Sequence, residues 1–308
     1  MAITGVLRAA MMQLRVLDLE TSVDFYTQVV GLFEVGRTSD GRVLLKGYDE
    51  FDHHSFVLRQ AETAGMDFIG FKVASDDYLK YLADATKKFG LPVEEIPANS
   101  DQPGFGRRIS TKVPTGHRVD FFADVEQSDP KPGIENPEIW TVEPRGIGAA
   151  TFDHALLFGP GANETVRYFM EVCGMAAVEK GLLPDGNTLV TWLTCANRTH
   201  DVAVLEFDQP GKLHHVAYKL DNWNDIGHAA DIMTMNEVTI DAGPMRHGVT
   251  RGQTIYFFDP SGNRLETYAS GYSHYPDMPV RVWDFDHIGK GIFYYTRQLN
   301  DNFLKVVS

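Results

Sequence analysis

Apolar and polar positions follow one another in a regular order along the chain. Short apolar or alternating segments predict strands at 12–17, 66–73, 152–158 and 213–220. Each precedes a segment of helical periodicity, most clearly 76–89 and 223–236, and three further short strands follow each helix. Strands at 119–125 and 264–269 close two of these units after Pro-x-Gly turns. The pattern predicts four βαβββ units of roughly 75 residues each.

The second half of the chain repeats the first. Gly31 and Gly174 end matching amphipathic segments at an offset of 143 residues, and the turns at 114–116 and 260–262 match at an offset of 146. An α+β fold is therefore expected, with four βαβββ modules paired into two domains. We expect an N-terminal domain at 1–130, a Pro-rich connecting segment at 131–149 and a C-terminal domain with an extension at 150–308.

Composition narrows the class of protein. The chain has 308 residues, 43% of them hydrophobic, and a formal net charge of −14, which disfavours nucleic acid and anionic membranes as partners. Neither a signal peptide nor an apolar run of about 18 residues is present, so no membrane span is expected. The two cysteines, Cys173 and Cys195, rule out a disulfide scaffold or a Cys₄ metal site and favour the cytoplasm.

Candidate metal ligands lie in the second half, which holds eight of the eleven histidines. His154 and His215 lie on the opening strands of the third and fourth units, and Glu266 lies on the closing strand of the fourth. These strands of paired modules line one concave sheet, so the three side chains can converge. Two imidazoles and one carboxylate form the facial triad typical of non-haem Fe(II). A lone strand histidine is more typical of a core position, but the three together favour a metal site.

The equivalent positions of the first half carry different chemistry. The repeat offsets align Met11 with His154 and Asp120 with Glu266, and alignment of the strand at 66–73 places Phe68 at the position of His215. Met and Phe are poor ligands for a hard divalent cation. We therefore expect the first domain to be a metal-free copy. Strict strand alternation would place His214 on the face opposite His215, as a structural or supporting residue.

Several segments match one known family. They are QLRVLD at 13–18, GMDF at 65–68, FDHAL at 152–156, LHHV at 213–216, GP at 243–244, RHG at 246–248 and TIYFFDPSGNR at 254–264. On these residues the chain resembles, over essentially its whole length, the extradiol ring-cleaving dioxygenases of the vicinal oxygen chelate superfamily. The resemblance is greatest to the catechol 2,3-dioxygenase type. It implies the glyoxalase-like fold of that superfamily, with a metal site in the C-terminal domain only.

The resemblance also implies roles for individual residues. His154, His215 and Glu266 match the Fe(II) ligands, and His200 matches the acid/base histidine beside the metal. His247 matches the histidine that hydrogen-bonds a catechol oxygen, and Tyr256 the tyrosine beside the deprotonated one. Candidate walls of the substrate pocket are Trp192, Val249, Thr250, Ile292 and Phe303. From the residues alone, His200 and His247 could be ordinary loop histidines, and Tyr256 and the wall residues could belong to the core.

The implied activity is cleavage of catechol or substituted catechols by O₂ beside the diol. Products would be of the 2-hydroxymuconate semialdehyde type, formed in aromatic hydrocarbon degradation by a cytoplasmic homotetramer. Alternatives are a glyoxalase-type isomerase, a 4-hydroxyphenylpyruvate-type dioxygenase and a non-catalytic binding protein of the same fold. Ring-substituent preference stays open, as does Fe(II) against Mn(II), because both ions suit this ligand set.

Overall fold

The computed structural model describes residues 5–308, in which two mixed β-sheets carry the helices. The strands of the first sheet are β1 (Val6–Val16), β2 (Phe33–Arg37), β3 (Val43–Lys46), β4 (Phe56–Gln60), β5 (Gly65–Val73), β6 (Glu94–Ile96), β7 (Arg108–Lys112) and β8 (Arg118–Phe122). Its helices are α1 (Leu19–Asp24), which continues into the π-helical segment Phe25–Val30, and α2 (Asp76–Phe89).

The second sheet is built from the second half of the chain. Its strands are β9 (Phe152–Gly159), β10 (Ala176–Leu182), β11 (Thr188–Thr194), β12 (Val202–Glu206), β13 (Lys212–Lys219), β14 (Ile240–Arg246), β15 (Gly252–Phe258), β16 (Arg264–Ser270) and β17 (Arg281–Trp283). The helices are α3 (Ala162–Glu171), α4 (Trp223–Met235), α5 (Phe285–Ile292) and α6 (Asp301–Lys305). The order of elements confirms four βαβββ modules, followed by an extension that holds β17, α5 and α6.

The two sheets have the same topology. The strand orders are β2-β3-β4-β1-β5-β8-β7-β6 and β14-β15-β16-β13-β9-β12-β11-β10-β17. In each sheet the opening strands of the two modules pair antiparallel at the centre, and each closing strand pairs parallel with the opening strand of its own module. Four strands from two modules therefore share one central face, where side chains distant in sequence come together.

Local signals in the sequence account for several boundaries. Helix α2 spans the predicted residues because the Ser75 hydroxyl accepts the Tyr78 amide at 3.2 Å and Gly90 ends the helix with a φ of 101°. Strand β1 begins at Val6, earlier than predicted, because its apolar residues are buried and extend the pairing with β5. Alternation is not required of a strand that is buried on both faces.

The two halves share one hydrophobic core. The ring of Phe56, from the first half, lies 5.4 Å from that of Tyr218, and the Phe71 ring lies 5.9 Å from that of Phe169. The Tyr26 hydroxyl also donates to Asp259 at 3.0 Å across the same boundary. The division of the chain into 1–130, 131–149 and 150–308 stays a prediction. Within residues 5–308, no helix combines the length and apolar character needed to cross a membrane.

Candidate active site

Three side chains from separate strands meet on the central face of the second sheet. His154 lies on β9, His215 on β13 and Glu266 on β16, and all three are buried. Glu266 Oε2 lies 3.0 Å from Nε2 of each histidine, and the two Nε2 atoms are 3.4 Å apart. We call these three residues the metal triad.

The metal triad has the geometry and chemistry that a divalent cation requires. Ligands about 2.1 Å from an ion in adjacent octahedral positions lie about 3 Å apart, close to the separations found here. Two nitrogen donors and one carboxylate oxygen on one side of the site would leave the remaining coordination positions open to small molecules. The donor set therefore fits a catalytic metal.

A buried carboxylate orients the first histidine. His154 Nδ1–H donates to Asp153 Oδ2 at 2.6 Å, which leaves Nε2 as the atom facing the site. Burial opposes a charge on His154, but the hydrogen bonds with Asp153 and Glu266 raise its pKa to about 9. A metal ion would displace the Nε2 proton, since an imidazole binds metal in its neutral form. Arg198 Nη1 in turn donates to Asp153 Oδ1 at 3.1 Å and holds that carboxylate in place.

The second histidine is oriented through its neighbour. His214 Nε2–H donates to the Phe303 carbonyl at 2.7 Å, so His214 Nδ1 can accept the Nδ1–H of His215, also at 2.7 Å. His215 Nε2 is thus left with a free lone pair, and burial lowers the pKa of His215 to about 4. The expectation that His214 and His215 lie on opposite faces is wrong. The pairing of β13 with β9 shifts between Leu213 and His215, and this irregularity brings the two rings side by side.

The carboxylate of the metal triad is held from its far side. Thr254 Oγ1 donates to Glu266 Oε1 at 2.6 Å, which turns Oε2 toward the two imidazoles. Burial would raise the pKa of Glu266, but the neighbouring His215 and His154 hold it well below its usual range. Glu266 is therefore an anion poised to neutralise part of a cation's charge.

His247 and Tyr256 form a hydrogen-bonded pair beside the metal triad. His247 Nδ1–H donates to the Ile292 carbonyl at 2.5 Å, so Nε2 accepts the Tyr256 hydroxyl at 2.9 Å. The same Nε2 lies 3.6 Å from Glu266 Oε1. Burial, then the charge of Glu266, raises the pKa of Tyr256 well above its usual value. The phenol therefore keeps its proton.

His200 lies beside His154, in the loop before β12. Its ring centroid is 3.8 Å from that of His154, and the Thr199 hydroxyl is 3.3 Å from its Nδ1. Burial, and then the charge of His154, lowers the pKa of His200 well below its ordinary value. His200 is thus a neutral imidazole that does not belong to the metal triad but packs against His154, with the two ring planes tilted by 47°.

A cavity opens over the metal triad, and every candidate pocket residue lines it. His200, His247 and Tyr256 face it together with the predicted wall residues Trp192, Val249, Thr250, Ile292 and Phe303. Phe303 belongs to the C-terminal α6 and packs on the Tyr256 ring at 4.8 Å. The structure thus brings together all eleven residues selected from the sequence. Their individual roles stay predictions.

The first half preserves the strand register of the site but not its two imidazoles. Gly70 on β5 pairs with both Met11 and Asp120, just as Ala217 on β13 pairs with both His154 and Glu266. This register confirms the alignment of the two halves that the repeat predicted.

In the first half, the carboxylate of Asp120 is engaged by an arginine. Arg118 donates to both oxygens of Asp120 at 2.8 Å, and its guanidinium lies 4.7 Å from the centre of the Phe68 ring. We call Met11, Phe68 and Asp120 the silent site. The absence of a metal there stays a prediction.

Several residues that orient the metal triad or the cavity wall were not selected from the sequence. Thr254 opens the extradiol-like run at 254–264, and Asp153 precedes His154, so both stood in matched segments without an assigned role. Arg198 and Glu179 are identified only by their three-dimensional partners.

Comparison with known families and proteins places the chain among extradiol dioxygenases. The family described as "Catechol 2,3-dioxygenase-like N-terminal domain" matches residues 66–126, and "Glyoxalase/Bleomycin resistance protein/Dioxygenase superfamily" matches 151–267. Metapyrocatechase of Pseudomonas sp. (strain CF600) is 42% identical over 306 residues, which is 99% of each chain. A manganese-dependent 2,3-dihydroxybiphenyl 1,2-dioxygenase of Geobacillus genomosp. 3 is 30% identical over 90% of each chain.

Solved structures show the same likeness. The 2,3-dioxygenase LapB of Pseudomonas sp. KL28 superposes with a TM-score of 0.89 at 43% identity, covering 92% of this chain and 99% of the other. Homoprotocatechuate 2,3-dioxygenase of Brevibacterium fuscum, in complex with 3,4-dihydroxyphenylacetate, has a TM-score of 0.85 at 24% identity, covers 100% of this chain and 94% of that one, and supports the fold. With a full-length relative at 42% identity, the chain belongs to the extradiol ring-cleaving dioxygenases of the vicinal oxygen chelate superfamily.

Proposed function

We propose that the protein opens the ring of catechol and substituted catechols with O₂ at an Fe(II) centre held by the metal triad. Cleavage is extradiol, next to the vicinal diol, and gives 2-hydroxymuconate semialdehyde-type products in the degradation of aromatic hydrocarbons. One observation carries the proposal: three buried metal donors and the proton-handling groups of His200, His247 and Tyr256 face one cavity. Fe(II) bound there would lower the pKa of a catechol hydroxyl and pass electron density from ring to O₂.

His247 and Tyr256 are suited to receive the diol. Because Nδ1–H of His247 is committed to the Ile292 carbonyl, Nε2 is an acceptor, and a catechol hydroxyl that replaces Tyr256 there can donate to it. Tyr256 keeps its proton at neutral pH, since burial raises its pKa. Its hydroxyl can then donate to the catechol oxygen that has lost a proton.

His200 is suited to the proton transfers that accompany oxygen cleavage. As a neutral imidazole, it can take a proton from the substrate and return it to the oxygen atom that leaves when the O–O bond breaks. The Thr199 hydroxyl lies near Nδ1, so Nε2 is the nitrogen available for this exchange.

The cavity walls are suited to an aromatic ring. Trp192, Val249, Ile292 and Phe303 offer apolar surface, and all but Ile292 are buried. Such walls exclude water from the reacting groups and leave the polar end of the cavity for the diol.

The activity is tested with protein reconstituted anaerobically with Fe(II), then mixed with catechol and O₂. We expect a yellow ring-fission product, one O₂ consumed per catechol, and both atoms of ¹⁸O₂ in the product. A colourless product, or incorporation of a single labelled atom, would refute extradiol cleavage. A panel of 3- and 4-substituted catechols then defines the preferred ring substituents.

The identity of the metal needs its own experiment. The donor set of the metal triad suits Fe(II), and one relative is named as manganese-dependent. Apoprotein loaded separately with Fe(II) and Mn(II) should be more active with Fe(II). Higher turnover with Mn(II), at equal metal content, would reassign the metal.

Assembly and location complete the proposal. We propose a homotetramer in the cytoplasm, in agreement with the free thiols Cys173 and Cys195. The exposed side chains of Ile139 and Trp140 in the connecting segment, and of Val282 on the edge strand β17, are apolar surface that subunit contacts would cover. Light scattering during size-exclusion chromatography measures the mass, and a monomeric mass would contradict the tetramer.

A further inference from the structure

A buried carboxylate lies behind one wall of the cavity and takes no part in the metal triad. Glu179 on β10 is fully buried, and its Oε1 accepts the Thr250 amide at 2.7 Å and the Tyr272 hydroxyl at 2.6 Å. Its Oε2 accepts the Trp283 indole N–H at 2.6 Å. All three donors are neutral, and they come from three segments of the second half: the turn after His247, the loop after β16 and strand β17.

A carboxylate in this position is costly unless hydrogen bonds satisfy it. Burying an anion without a cationic partner is strongly unfavourable, and no ion pair involves Glu179 among the residues that the structure describes. Its hydrogen bonds are charge-assisted and therefore stronger than those between neutral groups. If Glu179 only filled space, an apolar or amide side chain would fill it without the cost of burying a charge. Its carboxylate is therefore expected to act through its hydrogen bonds.

The turn that Glu179 holds has an uncommon backbone conformation. Thr250 and Arg251 have φ values of 53° and 57°, in the left-handed region that residues with a β-carbon seldom adopt. This conformation turns the Thr250 amide toward Glu179, while Val249 and Thr250 line the cavity. We call residues 248–251 the wall turn. Strained backbone persists where its surroundings fix it, and Glu179 supplies one such constraint.

The wall turn is continuous with the rest of the cavity wall. The amides of Gly248 and Val249 donate to the Gly291 carbonyl at 2.8 and 2.9 Å, and the next carbonyl, of Ile292, orients His247. A β-carbon added at Gly291 would meet Val249 at 3.0 Å, so the two segments pack without spare room. A displacement of the wall turn would therefore reach the cavity directly.

We infer that Glu179 is a positioning residue that fixes the wall turn and thereby determines which ring substituents the cavity accepts. The part of this inference that concerns the substrate rests on the proposed function. The part that concerns the hydrogen bond between Glu179 and the wall turn does not. Glu179 touches neither the metal triad nor the cavity, so it acts only through Thr250 and the segments bound beside it.

The first experiment measures how strongly Glu179 protects the wall turn from opening, by amide hydrogen exchange in peptides that span residues 248–251. Glu179→Gln should speed exchange there by about 10-fold or more, because a hydrogen bond to a charged acceptor is replaced by one to an amide. The matched control is Asp259→Asn. Asp259 is also buried and accepts a tyrosine hydroxyl, a side-chain amide and backbone amides, at the other end of β15. The control should leave exchange of the wall turn unchanged.

The second experiment measures the consequence for substrates. In Glu179→Gln the KM for catechol should rise about tenfold while kcat and metal content stay within about threefold of wild type, because no catalytic group is changed. The preference for catechol over 3- and 4-methylcatechol should shift by about fivefold, which is part of the roughly 10- to 200-fold by which a hydrophobic pocket discriminates one methylene group. A purely structural role would lower the melting temperature of both variants without moving this preference.

The outcomes separate this inference from the proposed function. If Glu179→Gln matches Asp259→Asn in exchange and in substrate preference, the inference is wrong. If Glu179→Gln does not fold, Tyr272→Phe removes one donor and keeps the carboxylate; unchanged exchange and preference in that variant would also overturn it. If wild-type protein cleaves no catechol, the proposed function fails, and the exchange experiment still decides whether Glu179 holds the turn.

Discussion

The strength of the metal site should depend on Asp153, which binds no metal itself. Both of its oxygens accept from donors, Oδ2 from His154 Nδ1–H at 2.6 Å and Oδ1 from Arg198 Nη1 at 3.1 Å. In Asp153→Asn one oxygen becomes an NH₂ group, so one of the two donors faces another donor. Losing a charge-assisted hydrogen bond of this kind costs about 1.5–3 kcal/mol. The metal dissociation constant should therefore rise by roughly 10- to 100-fold.

The assay is anaerobic competition for Fe(II) between apoprotein and a chromophoric chelator. Asp67→Asn is the matched control, because Asp67 accepts from Arg59 and Gln13 in the first half and is remote from the metal triad. The control should lose some thermal stability and keep its metal affinity. An Asp153→Asn protein that binds Fe(II) within twofold of wild type would refute the reasoning, since the orientation of His154 would then need no carboxylate.

Three further predictions follow from the site and the silent half. Alanine at any position of the metal triad should abolish bound metal and activity, and elemental analysis of wild type should give one metal per chain; two would contradict a metal-free silent site. His200→Ala should keep its metal and bind catechol anaerobically, while turnover falls by about 10² to 10⁴; wild-type turnover would exclude an acid/base role. Burial lowers the pKa of His117 to about 4 from 6.5, so the unfolded chain takes up a proton first, and stability should fall by about 2.5 kcal/mol as the pH drops from 7.5 to 4.5. His117→Asn, which copies Asn263 at the equivalent turn, should flatten this dependence in chemical denaturation; an unchanged pH dependence would exclude His117 as its source.

The features that the sequence predicted correctly depend on local or repeated patterns. The ends of helix α2 could be predicted because a capping serine, Ser75, precedes it and a glycine, Gly90, follows it. The metal triad could be selected because the repeat shows that the first half has Met11 and Phe68 where the second half has histidines. Alternation failed at His214, since an irregularity in strand pairing depends on the partner strand and leaves no mark in the hydrophobic pattern.

The supporting residues could not be predicted because their function depends on contacts between distant segments. Glu179 and Thr250 are 71 residues apart, and Arg198 and Asp153 are 45 apart. A carboxylate within a strand is equally compatible with an exposed ion pair, and only the three-dimensional structure brings these donors to it. Asp153 is a partial exception, because it adjoins His154, but a neighbour in a strand usually points away.

The ion pair of the silent site has a consequence for the lifetime of the protein. Where the second half needs an ion that oxidation or a chelator can remove, Asp120 in the first half has a counter-ion, the Arg118 guanidinium, that is covalently part of the chain. We therefore expect the first half to keep its sheet intact without a bound ion. Because the first half shares one core with the second half, its packing can keep strands β9, β13 and β16 in register after the metal is lost. Protein inactivated by loss or oxidation of its metal should thus be repairable by reduction and reloading, without refolding.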